Sequence, residues 1–456
     1  MRNRKVALAV ASVLASAAAS AANVDLYIAG ASAQSAFWKA DFGTSICGGS
    51  GNVITYNLSG VSGISNEAWR CTATAASGAV AIGDQVTVHY NSHFGSISGA
   101  AALIRPSVAK RLYVNPDSLD CATSGATRSC AITAYDPSAE TFTSVNGTAL
   151  VQSPNTLPAD VVVLDMELKY WAKDTNWQPI AAFGTATPTL AEVTPFGAGT
   201  VVNGQVFSVI ANNSSPIAAK GNISKESMKA IVTGVYDKWG DVPEVGGGNT
   251  TQIKLCRREQ GSGTQIAASV FFTGAECGLS GNKPYVTAAS PGALGAGNVT
   301  EETSTGNVRT CVQGTTGAIG ITSVSTSSNY TTLNIDGVQA NAHNAAAGMY
   351  TFAFEDIVYN QSATSGASTA AKDLANLFIT NAKKATLLTS QIESTASQNA
   401  NGTWTATAPK SNYALPILGV NTKSLANSQV ISGAAVTALA YRGGDNCKMN
   451  FNSNTN

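Results

Sequence analysis

The segment CRREQGSGTQ, Cys256 to Gln265, joins two adjacent arginines to a Gly-Ser-Gly-Thr turn, in a chain with only 12% charged residues. Arg258 offers a permanently charged, bidentate donor that suits an oxyanion. The glycines let the backbone approach a ligand, and a helix that starts at Thr264 directs free N–H groups at the same point. The segment therefore predicts an anion-binding seat. The alternative is a plain helix start with surface arginines, and we assign Arg257 to such a structural role.

The elements that must position this seat alternate between strands and helices. Short apolar runs that end in small polar residues predict strands at 24–29, 85–90, 160–164, 206–211, 253–256 and 317–322. Helical patterns cover 35–42, 100–104, 225–235 and 264–273. The alternation predicts an α/β fold, and the continuously apolar DVVVL run suits a parallel sheet that is buried on both faces. Ligands of such sheets bind beyond the carboxyl ends of the strands.

Six segments resemble, in this order, motifs of the periplasmic phosphate-binding proteins of ABC transporters: IAGASAQ, YNSHFGSISG, DVVVLD, IVTGVYDKWGDVP, RREQGSGT and GAIGIT. The resemblance runs from residue 24 to about residue 325. It implies the two-lobe type II periplasmic binding protein (Venus-flytrap) fold, with central mixed sheets and disulfide-tied loop insertions. It also implies that phosphate or a similar oxyanion binds between the lobes, and that an ABC permease is the partner of the closed form.

The same resemblance implies a set of phosphate-binding residues. They are Gln34, Ser35, Ser96, Asp165, Arg258, Gln260, Ser262, Gly263 and Thr264. Asp165 matches the aspartate that accepts a proton from the anion in the family. Gln34 replaces a family threonine, and Gln260 replaces the aspartate that braces the arginine. Because the second loop carries one extra residue, Ser98 is a rival of Ser96.

A different class of function also fits the composition. The abundance of Ser, Thr, Asn and Gly and the glutamine at 260 favour a secreted or surface-associated protein that keeps this fold in an adhesive or scaffold role. A phosphoester hydrolase would need a metal or a nucleophile, yet the chain has three histidines and no GxSxG, HExxH or GxxxxGK[ST] motif. We interpret Glu301-Glu302 as a solvated loop patch. We therefore expect a protein that is not an enzyme and has no cofactor or metal.

The first 22 residues have the pattern of a secretory signal peptide. Arg2, Arg4 and Lys5 precede an apolar run, and small residues at 20–22 suit cleavage. Without this segment, equal totals of 27 basic and 27 acidic residues become a net charge of −3. We expect an exported, periplasmic or secreted protein that is monomeric and does not bind nucleic acid, because no basic patch is present.

The eight cysteines all follow this segment, so we expect disulfides in an oxidising compartment. We pair Cys47 with Cys71 and Cys121 with Cys130, and leave open the pairing among Cys256, Cys277, Cys311 and Cys447.

About 434 mature residues predict two domains. After the signal peptide at 1–22, we assign 23–213 plus 416–456 to lobe I and 214–415 to lobe II, with hinge strands near 206–213 and 414–421. Four segments rich in Gly, Ser, Thr and Asn predict loop insertions, at 43–80, 114–158, 274–310 and 395–412.

Overall fold

Strands and helices alternate through the first part of the chain in the computed structural model, as the apolar pattern predicts. The described strands up to residue 193 are β1 (Asn23–Gly30), β2 (Ile54–Ser59), β3 (Glu67–Thr72), β4 (Gln85–Asn91), β5 (Thr127–Asp136), β6 (Thr141–Ser144) and β7 (Val161–Leu164). The helices are α1 (Ser35–Ser45), α2 (Ser96–Ile104) and α3 (Leu190–Val193). All strands and helices predicted in this part are confirmed, with small shifts at their ends.

The middle of the chain continues the alternation. Its strands are β8 (Thr200–Asn212), β9 (Asn222–Ile223), β10 (Lys254–Arg258), β11 (Val299–Glu302), β12 (Ala318–Ser323), β13 (Tyr330–Ile335) and β14 (Ala353–Asn360). Its helices are α4 (Lys225–Val232), α5 (Gly263–Ala268), α6 (Thr305–Gly314), α7 (Ala342–Ala346) and α8 (Thr369–Asn381). A π-helical turn, Ser269–Thr273, continues α5, so the helix predicted at 264–273 forms but changes its hydrogen-bond pattern.

The end of the chain contributes short strands. They are β15 (Ala396–Gln398), β16 (Trp404–Ala406), β17 (Ala414–Leu415), β18 (Gln429–Ile431), β19 (Ala434–Val436), β20 (Ala440–Tyr441) and β21 (Phe451–Asn452). The structure describes residues 21–59, 65–106, 113–119, 121, 125–136, 141–144, 159–278, 283–324, 327–346, 348–384, 396–401, 403–406, 414–415, 429–431, 434–436, 440–441, 445–447 and 451–452. Residues 1–20 of the predicted signal peptide lie outside this range. Within it, no helix has the length and apolar character that crossing a membrane requires.

One mixed sheet of 15 strands runs through the molecule, and β8 is its central connection. The first residues of β8 pair with β14, and its later residues pair with β12 and β13. On one side, the order β14-β7-β1-β4-β3-β2-β5-β6 forms what we call the first half; on the other, β12-β10-β11 forms the second half. The predicted mixed α/β fold is therefore confirmed.

Parallel pairing aligns the carboxyl ends of the strands that matter for the site. In the first half, β1 is parallel to both β4 and β7, and in the second half β10 is parallel to both β11 and β12. The four residues of β7 are buried, which explains the continuously apolar DVVVL run. The loops after β1, β4, β7 and β10 consequently lie where ligands of α/β sheets bind.

Helix α8 packs on the first half, although it follows the second half in the chain. Its Leu374 and Phe378 are buried in one cluster with Phe37 and Trp38 of α1. The strand before it, β14, also pairs with β7 in the first half. We therefore propose that lobe II ends near residue 352 rather than at 415. β8 includes the first predicted crossover, and β17, which pairs with β8, begins the second. The hinge itself and the other boundaries stay predictions.

Two of the predicted loop insertions extend the sheet instead. β2 and β3 arise within 43–80, and β5 and β6 arise within 114–158. The Thr, Ser and Asn residues of these segments mask the alternation of apolar and polar residues that predicts a strand. Tyr56 of β2 and Trp69 of β3 are nevertheless buried. Likewise, 274–310 contains β11 and the start of α6.

Four disulfides join the eight cysteines. The predicted pairs Cys47–Cys71 and Cys121–Cys130 are confirmed, and the other two are Cys256–Cys311 and Cys277–Cys447. The first three lie within one half each. The fourth joins the end of the α5 region to the chain terminus, where Asn446 donates to Glu167 of the first half. This disulfide therefore connects the two halves covalently.

Candidate anion-binding site

The first half presents its predicted binding residues on three adjacent loops. Ser35 begins α1 just after β1, Ser96 begins α2 just after β4, and Asp165 follows β7. The Oγ of Ser96 accepts a hydrogen bond from the backbone N–H of Asp165, at 3.2 Å. Ser98, the rival candidate, donates its hydroxyl to the carbonyl of His93. The structure therefore brings Ser96, rather than Ser98, to Asp165.

Asp165 is buried, and its surroundings shift the pKa of its carboxyl in both directions. Burial raises the pKa of its carboxyl to about 6, while Arg258 and the Ser96 hydroxyl act in the opposite direction. Its Oδ1 has no hydrogen-bond partner among the described residues. A buried acceptor without a partner is rare, because desolvation costs about 1–3 kcal/mol. This oxygen is therefore suited to receive a donor from a ligand.

Arg258 enters the same place from the second half. Its Nε donates to the carbonyl of Glu302 at 3.1 Å, its Nη1 to the Oγ1 of Thr305 at 3.3 Å and its Nη2 to the carbonyl of Thr303 at 3.0 Å. A side chain at Gly95 would lie 3.1 Å from Nη2, so the guanidinium also contacts the second loop of the first half. The arginine is 2% exposed, and it is held by β11 and the start of α6.

The turn after Arg258 closes directly onto the first half. A Cβ at Gly263 would lie 2.5 Å from the Oγ of Ser96 and 2.7 Å from the Oδ2 of Asp165, so only glycine fits this approach. Ser262 is the N-cap of α5, and its buried Oγ has no hydrogen-bond partner among the described residues. Thr264 is buried in the first turn of α5. Ser262, Gly263 and Thr264 thus lie where the sequence predicts them.

The side chain of Gln34, in the first loop, contacts another carboxyl group and not the predicted anion seat. The Nε2 of Gln34 donates to the Oδ2 of Asp356 at 2.7 Å and to the Oε1 of Gln205 at 3.1 Å. Burial raises the pKa of Asp356 well above its usual range, and Asp165 and Glu355 add to the effect. Gln34 therefore supports a buried carboxyl group beside Asp165, whereas its neighbour Ser35 faces a separate cavity.

Gln260 does not brace Arg258. Its Nε2 donates to the backbone carbonyl of Asp174, on the far side of the turn. The arginine instead receives its support from two backbone carbonyls and the hydroxyl of Thr305. This replacement explains how the arginine stays ordered without the family's aspartate.

A strap, residues 171–178, links the halves beside the site. The Nε1 of Trp171 donates to the carbonyl of Gly261 at 3.0 Å. Lys173 and Asn176 both bind Glu276, with Lys173 Nζ 3.2 Å from Oε2 and Asn176 Nδ2 2.9 Å from the same oxygen. These contacts hold the α5 region against the first half.

Sequence reasoning missed four residues around the site: Asp356, Glu302, Thr303 and Thr305. Glu301 and Glu302 belong to β11, so their assignment to a loop was wrong, although Glu301 is exposed as predicted. The run VTEETST signals a strand followed by the N-cap Ser304, but only the pairing of β11 with β10 brings Thr303 and Thr305 to the arginine. Asp356 carries no comparable signal, because it lies in the middle of a buried strand.

Arg257 and His89 make other contacts. Arg257 is 3% exposed, and its guanidinium lies 4.9 Å from the centre of the Tyr285 ring. It is structural, as predicted, but buried rather than on the surface. His89 binds the carbonyl of Val114 and the carboxyl of Asp25, each at 3.0 Å. Over the described part of the chain, no three His, Cys, Asp or Glu residues are grouped to hold a metal ion.

Comparison with known proteins supports the resemblance. Residues 201–382 match the PBP superfamily domain. A stretch of 138 residues is 33% identical to the phosphate-binding protein PstS of Bacillus subtilis (strain 168). This stretch covers 30% of this chain and 39% of PstS. The chain thus matches about two fifths of the length of this curated relative.

Solved structures show more distant likeness. An ABC-type phosphate transport receptor from Vibrio cholerae is 17% identical over 48% of this chain and 73% of its own, with a TM-score of 0.31. A phosphate-binding protein from Stenotrophomonas maltophilia is 14% identical over 59% of this chain and 79% of its own, with a TM-score of 0.32. The sequence matches, rather than these scores, support the assignment. Residues 201–382 therefore resemble the PBP superfamily domain, and a stretch of 138 residues resembles a phosphate-binding protein.

Proposed function

We propose that this protein is an exported solute-binding protein that holds phosphate or a similar oxyanion between its two halves. One observation carries the proposal: two buried polar atoms, Asp165 Oδ1 and Ser262 Oγ, have no hydrogen-bond partner within the described part of the chain and flank Gly263 beside the Arg258 guanidinium. An oxyanion that still carries a proton supplies a donor for the carboxylate and acceptors for the serine and the arginine. These partners would offset the desolvation of all three groups.

The balance of charge favours phosphate over sulfate. Arg258 attracts any oxyanion with charge-assisted hydrogen bonds. Asp165 repels a fully ionised oxyanion but accepts a proton from one that is partly protonated, and phosphate keeps such a proton near neutral pH, whereas sulfate does not. Because both groups are buried, water screens their interactions with the anion only weakly.

The two halves supply contacts from opposite sides, so binding would favour the closed arrangement. The strap and the Cys277–Cys447 disulfide lie next to this junction and would limit the range of opening. Uptake through an ABC permease, monomeric state and a periplasmic location belong to the same proposal. They rest on the resemblance to phosphate-binding proteins and on the predicted signal peptide.

Calorimetric titration with phosphate, arsenate and sulfate tests the proposal. The mature chain is first unfolded with its disulfides intact and refolded, which removes any ligand carried through purification. We expect phosphate and arsenate to bind and sulfate to bind at least tenfold more weakly. Arg258→Ala should lower phosphate affinity by about thirtyfold or more, since truncation of a buried hydrogen-bonded charge costs about 2–5 kcal/mol.

Arg105→Ala is the matched control. Arg105 also donates to a backbone carbonyl, that of Ala186, and pairs with Glu192, but it lies outside the site. Its loss should leave phosphate binding unchanged. If the folded wild-type protein releases no heat with any oxyanion, the proposal is wrong, and an adhesive or scaffold role becomes the better interpretation.

A further inference from the structure

Asp356 is a buried carboxyl group to which the proposed function gives no role. It lies in the middle of β14 and is 0% exposed. Its Oδ2 accepts a hydrogen bond from Gln34 Nε2 at 2.7 Å, but its Oδ1 has no hydrogen-bond partner among the described residues. A buried carboxyl oxygen without a partner is rare, because nothing offsets the loss of its contacts with water. The structure therefore leaves one polar atom of Asp356 to be accounted for.

Strand pairing places Asp356 beside the phosphate seat. β14 is antiparallel to β7, and Ile357 of β14 pairs with Leu164, the last residue of β7. One residue further along the same register, Asp356 lies opposite Asp165. Residues directly opposite each other on antiparallel strands have Cβ atoms about 4.5–5.5 Å apart and side chains on the same face. The two carboxyl groups therefore form one cluster at the edge of the seat.

The two carboxyl groups differ in the charges around them. Burial raises the pKa of Asp165 to about 6, and the positive charge of Arg258 limits the increase. Burial also raises the pKa of Asp356 well above its usual range, and there the negative charges of Asp165 and Glu355 add to the effect. Near neutral pH, Asp165 is therefore mostly ionised, and Asp356 is a neutral acid.

Gln34 determines which oxygen of the neutral acid carries the proton. Because Oδ2 already accepts the amide hydrogen of Gln34, Oδ2 is the carbonyl oxygen and the proton lies on Oδ1. Oδ1 is then a hydrogen-bond donor that adds no negative charge to the seat. One protein acceptor competes for this donor, since the Oδ1 of the cross-strand neighbour Asn203 also has no partner within the described ranges. A bound anion is the stronger acceptor, because hydrogen bonds to charged groups are about twice as strong as those between neutral groups.

We propose that Asp356 is a further anion-binding residue, whose neutral carboxyl group donates a hydrogen bond from Oδ1 to an oxygen of the bound phosphate. This inference rests on the proposed function, because the anion occupies the same seat. Asp165 accepts the proton of the anion, and Asp356 donates to another of its oxygens. One carboxyl group thus acts as an acceptor and its neighbour as a donor.

Calorimetric titration of two variants with inorganic phosphate tests this role. Asp356→Asn keeps a neutral side chain with a donor, so phosphate affinity should stay within about threefold of the wild type. Asp356→Ala removes the donor, and affinity should fall about tenfold or more, as expected for one hydrogen bond to a charged acceptor.

The outcomes separate this inference from the proposed function. If the wild type binds phosphate and Asp356→Ala binds it equally well, Asp356 does not contact the anion and the inference is wrong, while the proposed function stands. A tenfold loss in Asp356→Asn would also overturn the inference, because it would show that the carboxyl group is needed in another form. If the folded wild type does not bind phosphate, the proposed function is wrong and the inference falls with it.

Asp41→Ala is the matched control. Asp41 is a buried carboxyl group of α1, and burial raises its pKa to about 6. Its Oδ1 accepts hydrogen bonds from Ser45 Oγ at 2.6 Å and from Asn381 Nδ2 at 2.8 Å, on the side of α1 that packs against α8. Asp41→Ala should lower stability and leave phosphate affinity unchanged. An equal loss of affinity in Asp41→Ala and Asp356→Ala would attribute both losses to packing and overturn the inference.

Infrared difference spectra, with phosphate minus without phosphate, test the role without a truncated side chain. The wild type should show the C=O band of a carboxylic acid that shifts when phosphate binds. Asp356→Asn, which has nearly the same shape, should lack this band. If phosphate shifts no such band, or if the shifted band persists in Asp356→Asn, the acid proton of Asp356 is not donated to the anion and the inference is wrong.

Discussion

The two halves of the molecule contribute opposite chemistry to the candidate site. The first half supplies carboxyl groups, Asp165 and Asp356, whose pKa values are raised mainly by burial. The second half supplies the Arg258 guanidinium, the Ser262 hydroxyl and the start of α5. Each set carries unfavourable buried groups by itself. In the proposed function, a protonated oxyanion would satisfy both sets, and this is a physical reason for a site that lies between the halves and not within one of them.

The halves also differ in how easily their site residues can be recognised in the sequence. The second-half residues fall within one run, Arg258 to Thr264, and this run lies inside the domain match at 201–382. The first-half residues are distributed from Gln34 to Asp165, with long Ser- and Thr-rich segments between them. The contrast shows that a contiguous turn is easier to recognise in a single sequence than a site assembled from separate loops. Variants that weaken the connection between the halves test whether the site depends on both of them.

The largest expected effect concerns the disulfide between the halves. Cys277→Ser with Cys447→Ser should lower the free energy of unfolding by up to about 5 kcal/mol, because the bond closes a loop with a sequence separation of 170. Guanidinium denaturation measures this loss. X-ray scattering should also show a larger radius of gyration without ligand, since the halves lose their disulfide cross-link and stay joined through the backbone alone.

Cys256→Ser with Cys311→Ser provides the matched control. This disulfide has a sequence separation of 55 and lies within the second half. Its removal should reduce stability by a similar amount without changing the radius of gyration of the folded protein. If both double variants give the same scattering curve as the wild type, Cys277–Cys447 does not limit the movement of the halves.

A smaller effect is expected when the contact surface itself is changed. Gly263→Ala places a methyl group 2.5 Å from the Oγ of Ser96, so the halves cannot approach as they do here. Phosphate affinity should fall by about tenfold to a hundredfold, which calorimetry measures. Gly314→Ala, in open space, should have no effect on affinity. Unchanged affinity in Gly263→Ala would show that binding does not need this close approach.

The raised pKa of Asp165 predicts a pH-dependent stability. Its pKa is about 6 in the folded protein, against about 3.9 in an unfolded chain. Between these values the folded state holds a proton that the unfolded state has released, so stability falls as pH rises from about 4 to about 6. Asp165→Asn avoids this loss. Relative to the wild type, it should gain about 3 kcal/mol between pH 3.5 and pH 8 in buffer without oxyanions.

Denaturation curves for both proteins at several pH values measure the difference. Asp373→Asn is the control, because Asp373 accepts an exposed hydrogen bond from the N–H of Ala79. A difference between Asp165→Asn and the wild type that stays constant with pH would show that burial does not hold this carboxyl protonated.

The smallest expected effect concerns Gln260, which the sequence predicts to bind phosphate but the structure places against the strap. Gln260 contacts the carbonyl of Asp174 in place of the anion or Arg258. Gln260→Ala should therefore reduce phosphate affinity by no more than about threefold, as expected for one partly exposed hydrogen bond. Calorimetry under the conditions used for Arg258→Ala gives the comparison. A loss of tenfold or more would restore Gln260 to the binding residues.

Much of the fold could be predicted because apolar periodicity is a local property. The buried runs at β1, β4, β7, β8 and β12 mark the central strands of both halves. The polar strands β2, β5 and β6 could not be recognised, because they lie towards the edge of the first half and contain few apolar residues. The pairing Cys256–Cys311 and Cys277–Cys447 was likewise undetermined, since several connectivities satisfy the same spacing.

The sequence by itself determined the alternating α/β elements, the arginine and the glycine-rich turn that follows it, because each depends on residues adjacent in the chain. Only the tertiary structure decided that Ser96, rather than Ser98, contacts Asp165, and that Glu302, Thr303 and Thr305 hold Arg258 in place of Gln260. It also placed Asp356 beside Gln34, although 322 residues separate them. Such contacts depend on the packing of distant strands, and side-chain direction at a loop follows from that packing and not from local sequence.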